Sequence, residues 1–355
     1  MIWGLLAGML WAADTLVLGM ALSMDSFAGA GVAGTGAGVI RAATLLAPFV
    51  STFLHDAFSA VWSWGYNSVR GNIPAAFRAL KTPEGKRILL AAIIGGPVGM
   101  TGYVLTVANL GPSIGAVASA VYPAVGAVLA FFFLKEKMAW YRWVFLLLTL
   151  LGVYGLSFSP EVEIANFWLG LAGSLMCAFG WGIEAVIVAG SVRAKEGAAA
   201  RSGAGIDVDS KVCNDVGRAV SGDALPPDDP SQIISNDVAL LLRQTTSALV
   251  YGAILLPLLR GWGLTVSLFS PSGGPAVSLI LLAGLLGTAS YLCYYKAISL
   301  IGASKAMALN ITYAAWAVVF GIVFLGNRSL LHPVTLACTA VVLLFGVLAG
   351  RREQR

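Results

Sequence analysis

Gly111 to Lys137 reads GPSIGAVASAVYPAVGAVLAFFFLKEK, and at a constant offset of 191 residues Gly302 to Arg328 reads GASKAMALNITYAAWAVVFGIVFLGNR. The two stretches share Gly111/Gly302, Ser113/Ser304, Tyr122/Tyr313, Ala124/Ala315, Val128/Val319, Phe133/Phe324 and Leu134/Leu325, and the same offset pairs Gly155 with Gly346. Self-similarity at one fixed offset marks an internal duplication. Duplicated apolar segments are the usual construction of secondary transporters, which hold their substrate near the bilayer midplane where the copies meet.

The composition specifies the solvent around the chain. Of its 355 residues 58% are hydrophobic and only 11% charged, with mean hydropathy +0.84, whereas a soluble domain carries about 25% charged residues. Ten apolar segments, at roughly 2–21, 42–66, 88–108, 112–134, 139–157, 166–190, 238–259, 276–300, 303–325 and 331–350, are each long enough for a hydrocarbon core of about 30 Å. The expected fold is therefore an all-α integral membrane protein with ten transmembrane helices. The opening MIWGLL lacks a basic leader and a convincing cleavage site, so the first segment is read as a retained anchor.

Ten segments and one duplication predict two five-helix repeats, residues 1–160 and 161–355. An odd number of spans per copy inverts the second copy across the membrane. Helix 1 also resembles helix 6 around Ala7-Gly8 and Ala172-Gly173, at an offset of 165. The smaller offset leaves extra residues in the second copy, which fall in a stretch at about 193–237, rich in Gly, Ala, Asp and Pro and read as a flexible cytoplasmic loop. Sixteen Lys and Arg residues lie in connections 2/3, 4/5 and 6/7 and at the C-terminus, against Arg41, Arg260 and Arg328 opposite. Both termini are thereby expected in the cytoplasm. The pI of about 9.1 is this positive-inside bias, and no nucleic-acid partner is inferred from it.

Charged side chains inside apolar segments need a reason, since each costs about 2.5–3.5 kcal/mol at a helix centre. Asp14, His55, Asp56, Glu184, Arg243 and Lys296 are the cases. His55 and Asp56 are adjacent in STFLHDAFSAVW, about 100° apart on a helix. Histidine is the side chain that changes charge most readily near neutral pH, so the pair is either a proton-coupling site or a polar contact locking the helix. Glu184 follows Trp181 by three residues and shares its helical face. A carboxylate beside an indole, away from water, suits an organic cation. Arg243 is a natural partner for a carboxylate when such a site is empty, or a structural cation.

Trp11, Tyr122, Trp181, Tyr313 and Trp316 also fall within the apolar segments, whereas Trp3, Trp140, Tyr141, Trp143, Trp168 and Trp262 lie near their ends, as interfacial aromatic residues do. Ring faces are the right partners for a quaternary ammonium, which has no N–H to donate; each is worth about 0.5–2 kcal/mol. The four cysteines show no metal or disulfide spacing. Metal-ligand spacing, a Gly-rich phosphate loop and a nucleophile motif are likewise missing from the sequence, so neither a cofactor nor an enzyme is expected.

These motifs carry a family resemblance. GPVGM (Gly96 to Met100), Ser119 to Lys137, WGIEAV (Trp181 to Val186), LLRQTTS (Leu241 to Ser247), SYLCYYKAI (Ser290 to Ile298) and LNITYAAWAVVFGIVFLG (Leu309 to Gly326) resemble the EamA-type permeases of the drug/metabolite transporter superfamily. More narrowly they resemble the bacterial choline permeases of phosphorylcholine-incorporation loci. The resemblance implies a secondary active transporter of the bacterial inner membrane, importing choline or a similar quaternary ammonium solute, with protons as the coupling ion; export of amino acids, drugs or other metabolites is the alternative on the same fold. It implies a substrate site of Trp11, Tyr122, Trp181, Glu184, Asn310, Tyr313 and Trp316, with Asn310 at the substrate's polar end and His55, Asp56 and Glu184 in proton coupling. Asp14, Arg243 and Lys296 are gating or charge partners, an Asp14–Lys296 ion pair being one expectation. Asp14, Lys296 and the long loop depart from the permease pattern, which brings a zwitterionic betaine into the substrate class.

Overall fold

The computed structural model describes residues 1–28, 37–158, 164–192 and 234–351. Ten long helices carry the chain: α1 (Ile2–Leu22), α2 (Ala37–Val69), α3 (Pro83–Leu110), α4 (Pro112–Phe133), α5 (Trp140–Ser157), α6 (Phe167–Val192), α7 (Asn236–Leu258), α8 (Gly274–Ile301), α9 (Ala303–Val323) and α10 (Pro333–Gly350). Each apolar segment of the sequence lies on one of them, and no strand occurs among the described residues. Nine of the ten, all except α2, are long and apolar enough by length and composition to cross a membrane. The chain is a multi-pass helical membrane protein. Helices suit lipid because each satisfies its own backbone hydrogen bonds.

Burial is inverted relative to a water-soluble protein. Phe132, Phe133, Trp140, Leu147, Leu151 and Trp168 are exposed, while Asp14, His55, Asp56, Glu184, Arg243 and Gln244 are buried. Large apolar groups thus face outward toward lipid, and polar groups face one another inside.

Glycine sets how closely the helices approach. A Cβ on Gly102 of α3 would stand 2.6 Å from the Cys177 amide nitrogen and the Gly173 carbonyl of α6, and one on Gly180 would stand 2.8 Å from the Gly99 Cα. Small residues in facing positions let backbones touch in a medium with no hydrophobic drive between helices. Pro97 lies inside a π turn, Ile94–Val98, within α3, as expected of a residue that cannot donate its N–H to the helix ladder.

The two sequence copies share backbone conformations as well as residues. Gly111 (φ 86°, ψ 162°) and Gly302 (φ 95°, ψ 160°) make the same sharp turn into α4 and α9. At the far ends of these helices Lys135 (φ 55°) and Gly326 (φ 62°), again 191 apart, both adopt the left-handed conformation. The copies then diverge. Helix α4 is continuous over Pro112–Phe133, whereas α9 is interrupted between Asn310 and Tyr313, where the Thr312 hydroxyl donates to the Leu309 carbonyl at 2.6 Å.

The first turn of α9 is held by Glu136, from the α4–α5 connection. Its carboxylate accepts from the amides of Ala303 (3.0 Å) and Ser304 (3.1 Å) and from the Ser304 hydroxyl (2.8 Å), which satisfies amides that have no partner within the helix and complements its dipole. The loop inferred at 193–237 lies outside the described residues as far as 233. From Asn236 the chain is already helical, with the Ser235 hydroxyl accepting from the Val238 amide.

Gly102→Ala is expected to destabilise the protein by about 1–3 kcal/mol through overpacking against α6. The measurement is thermal denaturation of purified protein in detergent, where an unchanged melting temperature would contradict the close α3–α6 contact.

Candidate functional site

A cavity of about 360 Å³ lies between α1, α2, α3, α4, α6, α7, α8 and α9, at the lower end of the range for small-molecule sites of about 300–1,000 Å³. Its wall contains Trp11, Asp14, His55, Asp56, Tyr122, Trp181, Glu184, Arg243, Asn310 and Tyr313. Ten of the twelve candidate side chains are thereby gathered from six helices. The two exceptions, Trp316 and Lys296, do not line it.

The electrostatics begin with Glu184 and Arg243. The Arg243 Nε donates to Glu184 Oε1 at 2.8 Å, and its Nη1 lies 3.6 Å from Asp56 Oδ2 and donates to Gln244 Oε1 at 2.5 Å. Asp56 also accepts from the Ser247 hydroxyl at 2.6 Å and faces His55 Nδ1 at 3.3 Å. The other imidazole nitrogen, Nε2, lies 3.1 Å from Asp14 Oδ1. A buried polar chain therefore runs Asp14–His55–Asp56–Arg243–Glu184. His55 and Asp56 both reach the cavity, although about 100° apart on α2, because it is lined by a broad face of that helix that also includes Pro48, Ser51 and Thr52. With the carboxylates ionised, three negative groups face one guanidinium and one imidazole. The described wall then carries excess negative charge in either state of His55.

The expected Asp14–Lys296 pair does not form. Asp14 is engaged by His55, and Lys296 is exposed at the far end of α8, its ammonium 4.1 Å from the centre of the Trp3 ring. A lysine stem carries its charge away from an apolar helix toward a wetter boundary. Trp316 stacks obliquely on Phe320 with ring centres 6.1 Å apart. It is three residues beyond Tyr313 on the same helical segment, yet only Tyr313 lines the cavity.

Ring faces make up much of the rest of the wall. Trp11 packs edge-on against Tyr291 (5.3 Å) and Tyr122 edge-on against Trp181 (5.9 Å), while Tyr103 stacks on Trp181 (6.1 Å). The Trp181 indole donates to the Gly95 carbonyl at 2.9 Å. That carbonyl is available because, in the π turn, the Gly99 amide bonds to Ile94 and Gly96 instead. Gly95 itself has to be glycine, since a Cβ there would strike the Glu184 carboxylate.

The duplication reappears as a reciprocal contact. Asn310 Nδ2 donates to the Tyr122 hydroxyl at 3.0 Å, and the Ser119 and Tyr313 hydroxyls are 3.1 Å apart. Ser119 and Asn310 occupy equivalent positions in the two copies, as do Tyr122 and Tyr313. Each tyrosine is thus bonded by the other copy's residue. The Asn310 Oδ1 is buried without a hydrogen-bond partner, an acceptor on the cavity wall.

Tyr103, Tyr291, Tyr294 and Tyr295 also line the cavity and were not among the sequence candidates. The spacing of Tyr291, Tyr294 and Tyr295, i, i+3 and i+4, places all three on one face of α8 and was the available signal. Tyr103 gives no such signal, since only the packing of α3 on α6 brings it over Trp181.

Residues 1–158 match the EamA-like transporter family. The chain is 28% identical over 256 residues to Protein LicB of Haemophilus influenzae, which covers 71% of each protein. A solved crystal structure superposes with a TM-score of 0.59 at 15% identity, covering 98% of this chain and 95% of that one, which places the fold alone.

In a double-mutant cycle, Glu184→Gln and Arg243→Gln are expected to couple by about 1–3 kcal/mol. Exposed Lys296→Ala should change stability by less than about 0.5 kcal/mol. Thermal denaturation of the four proteins of the cycle and of Lys296→Ala measures both, and additive effects at 184 and 243 would argue against the ion pair.

Proposed function

We propose that this chain is an EamA-type transporter that imports choline or a similar quaternary ammonium solute by alternating access, driven by protons. The observation that carries the proposal is a wall whose carboxylates outnumber its fixed cations and which also carries eight Trp and Tyr rings. Micromolar affinity requires about 8 kcal/mol. Three or four rings at about 0.5–2 kcal/mol each provide much of it, and Glu184 contributes the ionic part. The resemblance of the WGIEAV, LLRQTTS and SYLCYYKAI motifs to choline permeases agrees with that chemistry.

In this proposal Trp11, Tyr122, Trp181 and Tyr313 face the onium group, joined by Tyr103 and Tyr291, while Glu184 is its counter-charge. Asn310 receives the polar end: its unpartnered Oδ1 is an acceptor for a cargo hydroxyl. Trp316 and Lys296 have no part. His55 is the proton site. With a proton on each ring nitrogen, both carboxylate contacts are hydrogen bonds; with one proton, a lone pair faces a carboxylate. Cargo and proton therefore meet on one polar chain, through Asp56.

The ten helices form two inverted five-helix repeats, 1–160 and 161–355, in a bacterial inner membrane with both termini cytoplasmic. The matched turns at Gly111 and Gly302, the matched caps at Lys135 and Gly326 and the reciprocal tyrosine bonds support the repeat. In that orientation the cavity, which reaches Leu18, Leu22 and Pro48, extends toward the outer side. The Glu136 contacts with α9 then close the inner side.

Radiolabelled choline uptake into proteoliposomes, with and without an inward proton gradient, tests the proposal. Accumulation should rise with the gradient, and failure to take up any quaternary amine removes it. Glu184→Gln is expected to lower choline affinity at least about tenfold, the equivalent of 1.4 kcal/mol, while Trp316→Ala leaves affinity near wild type. His55→Ala and Asp56→Asn should depress proton-driven accumulation more than choline exchange. Equal loss of both activities would make these residues scaffolding.

A further inference from the structure

We propose that Arg243 is a built-in counter-cation, taking the cargo's place against Glu184 and the Tyr291 ring whenever the carrier crosses the membrane empty. This inference rests on the cation reading of the cavity and adds to it how the empty carrier completes its cycle.

Arg243 already makes the two kinds of contact that an onium ion requires. Its Nε donates to Glu184 Oε1 at 2.8 Å, and its guanidinium carbon lies 4.7 Å from the centre of the Tyr291 ring. A cargo cation cannot use the same oxygen and ring face while Arg243 holds them. A second anionic partner is within reach, because Nη1 lies 3.6 Å from Asp56 Oδ2. The side chain thus lies between two carboxylates, bonded to one and close to the other. On cargo entry the guanidinium moves toward Asp56; on cargo release it returns to Glu184. Nothing is bonded or cleaved covalently.

The need for such a group follows from desolvation. Net import requires the carrier to reorient without cargo, and during that step the cavity is closed at both ends. An ionised Glu184 buried without a partner would make the closed, empty state costly. A cation fixed to the wall removes this penalty. A carrier lacking it closes well only when loaded, and a carrier that reorients only when loaded is an exchanger.

Net uptake of radiolabelled choline into empty proteoliposomes is therefore to be compared with its exchange into choline-loaded ones, for the wild type, Arg243→Gln and Arg243→Lys. The ratio of net uptake to exchange should fall more than about tenfold in Arg243→Gln, which corresponds to a slowed empty return. Arg243→Lys keeps the charge but loses the Nε that Glu184 engages and the planar face that Tyr291 meets, and an intermediate fall of about threefold is expected. If Arg243→Gln does not yield folded protein, the lysine variant decides alone. A wild-type ratio in the folded variants, or a parallel loss of net uptake and exchange, overturns the role assigned to Arg243. Wild-type protein that exchanges no quaternary amine at all overturns instead the cation reading on which it stands.

Discussion

The ion pair between Glu184 and Arg243, 2.8 Å long and buried from both sides, is the interaction on which the interior of this protein depends. Glu184 comes from α6 and Arg243 from α7, so neither helix can bring its charge into an apolar bundle alone. Once paired, they fix the remainder of the chain of contacts. Arg243 brings Asp56 into reach, Asp56 holds Ser247 and faces His55, and His55 faces Asp14.

Close backbone approach is what brings the charges together. Glu184 needs a glycine opposite it at position 95, and Trp181 needs the carbonyl that the π turn around Pro97 sets free. Regular helical geometry would commit that carbonyl to the Gly99 amide. The interruption of α9 is a second local departure from regular structure, next to Asn310, whose side chain meets Tyr122. The cavity is thus bordered by irregular helices, as in transporters whose discontinuous helices border the substrate site.

An interior with more carboxylates than fixed cations is also an interior that tolerates a mobile positive charge. In the proposed function the same excess serves an onium cargo and a proton, which reach Asp56 through Arg243 on one side and His55 on the other. Shared use of one carboxylate would then give cargo and proton an energetic connection without contact between them. The Glu136 clasp on the first turn of α9 links that chamber to the end of the bundle, because α9 carries both the clasped amides and Asn310.

The sequence by itself determined the lipid solvent and all ten helical segments, because apolar length is a property of the chain read in one dimension. It also singled out Asp14, His55, Asp56, Glu184 and Arg243, all of which line the cavity, since ionisable groups in apolar segments are rare and costly. Ten of its candidates converge on one cavity. Only the tertiary structure decided which charge met which: Asp14 pairs with His55 on another helix, while Lys296, on the same helix as Tyr291 and Tyr295, points away to Trp3. Helical spacing fixes a face within one helix but not the rotation of that helix against its neighbours. For α3 against α6 that rotation is set by glycine contacts such as Gly102 on Gly173, and it brings Tyr103 over Trp181.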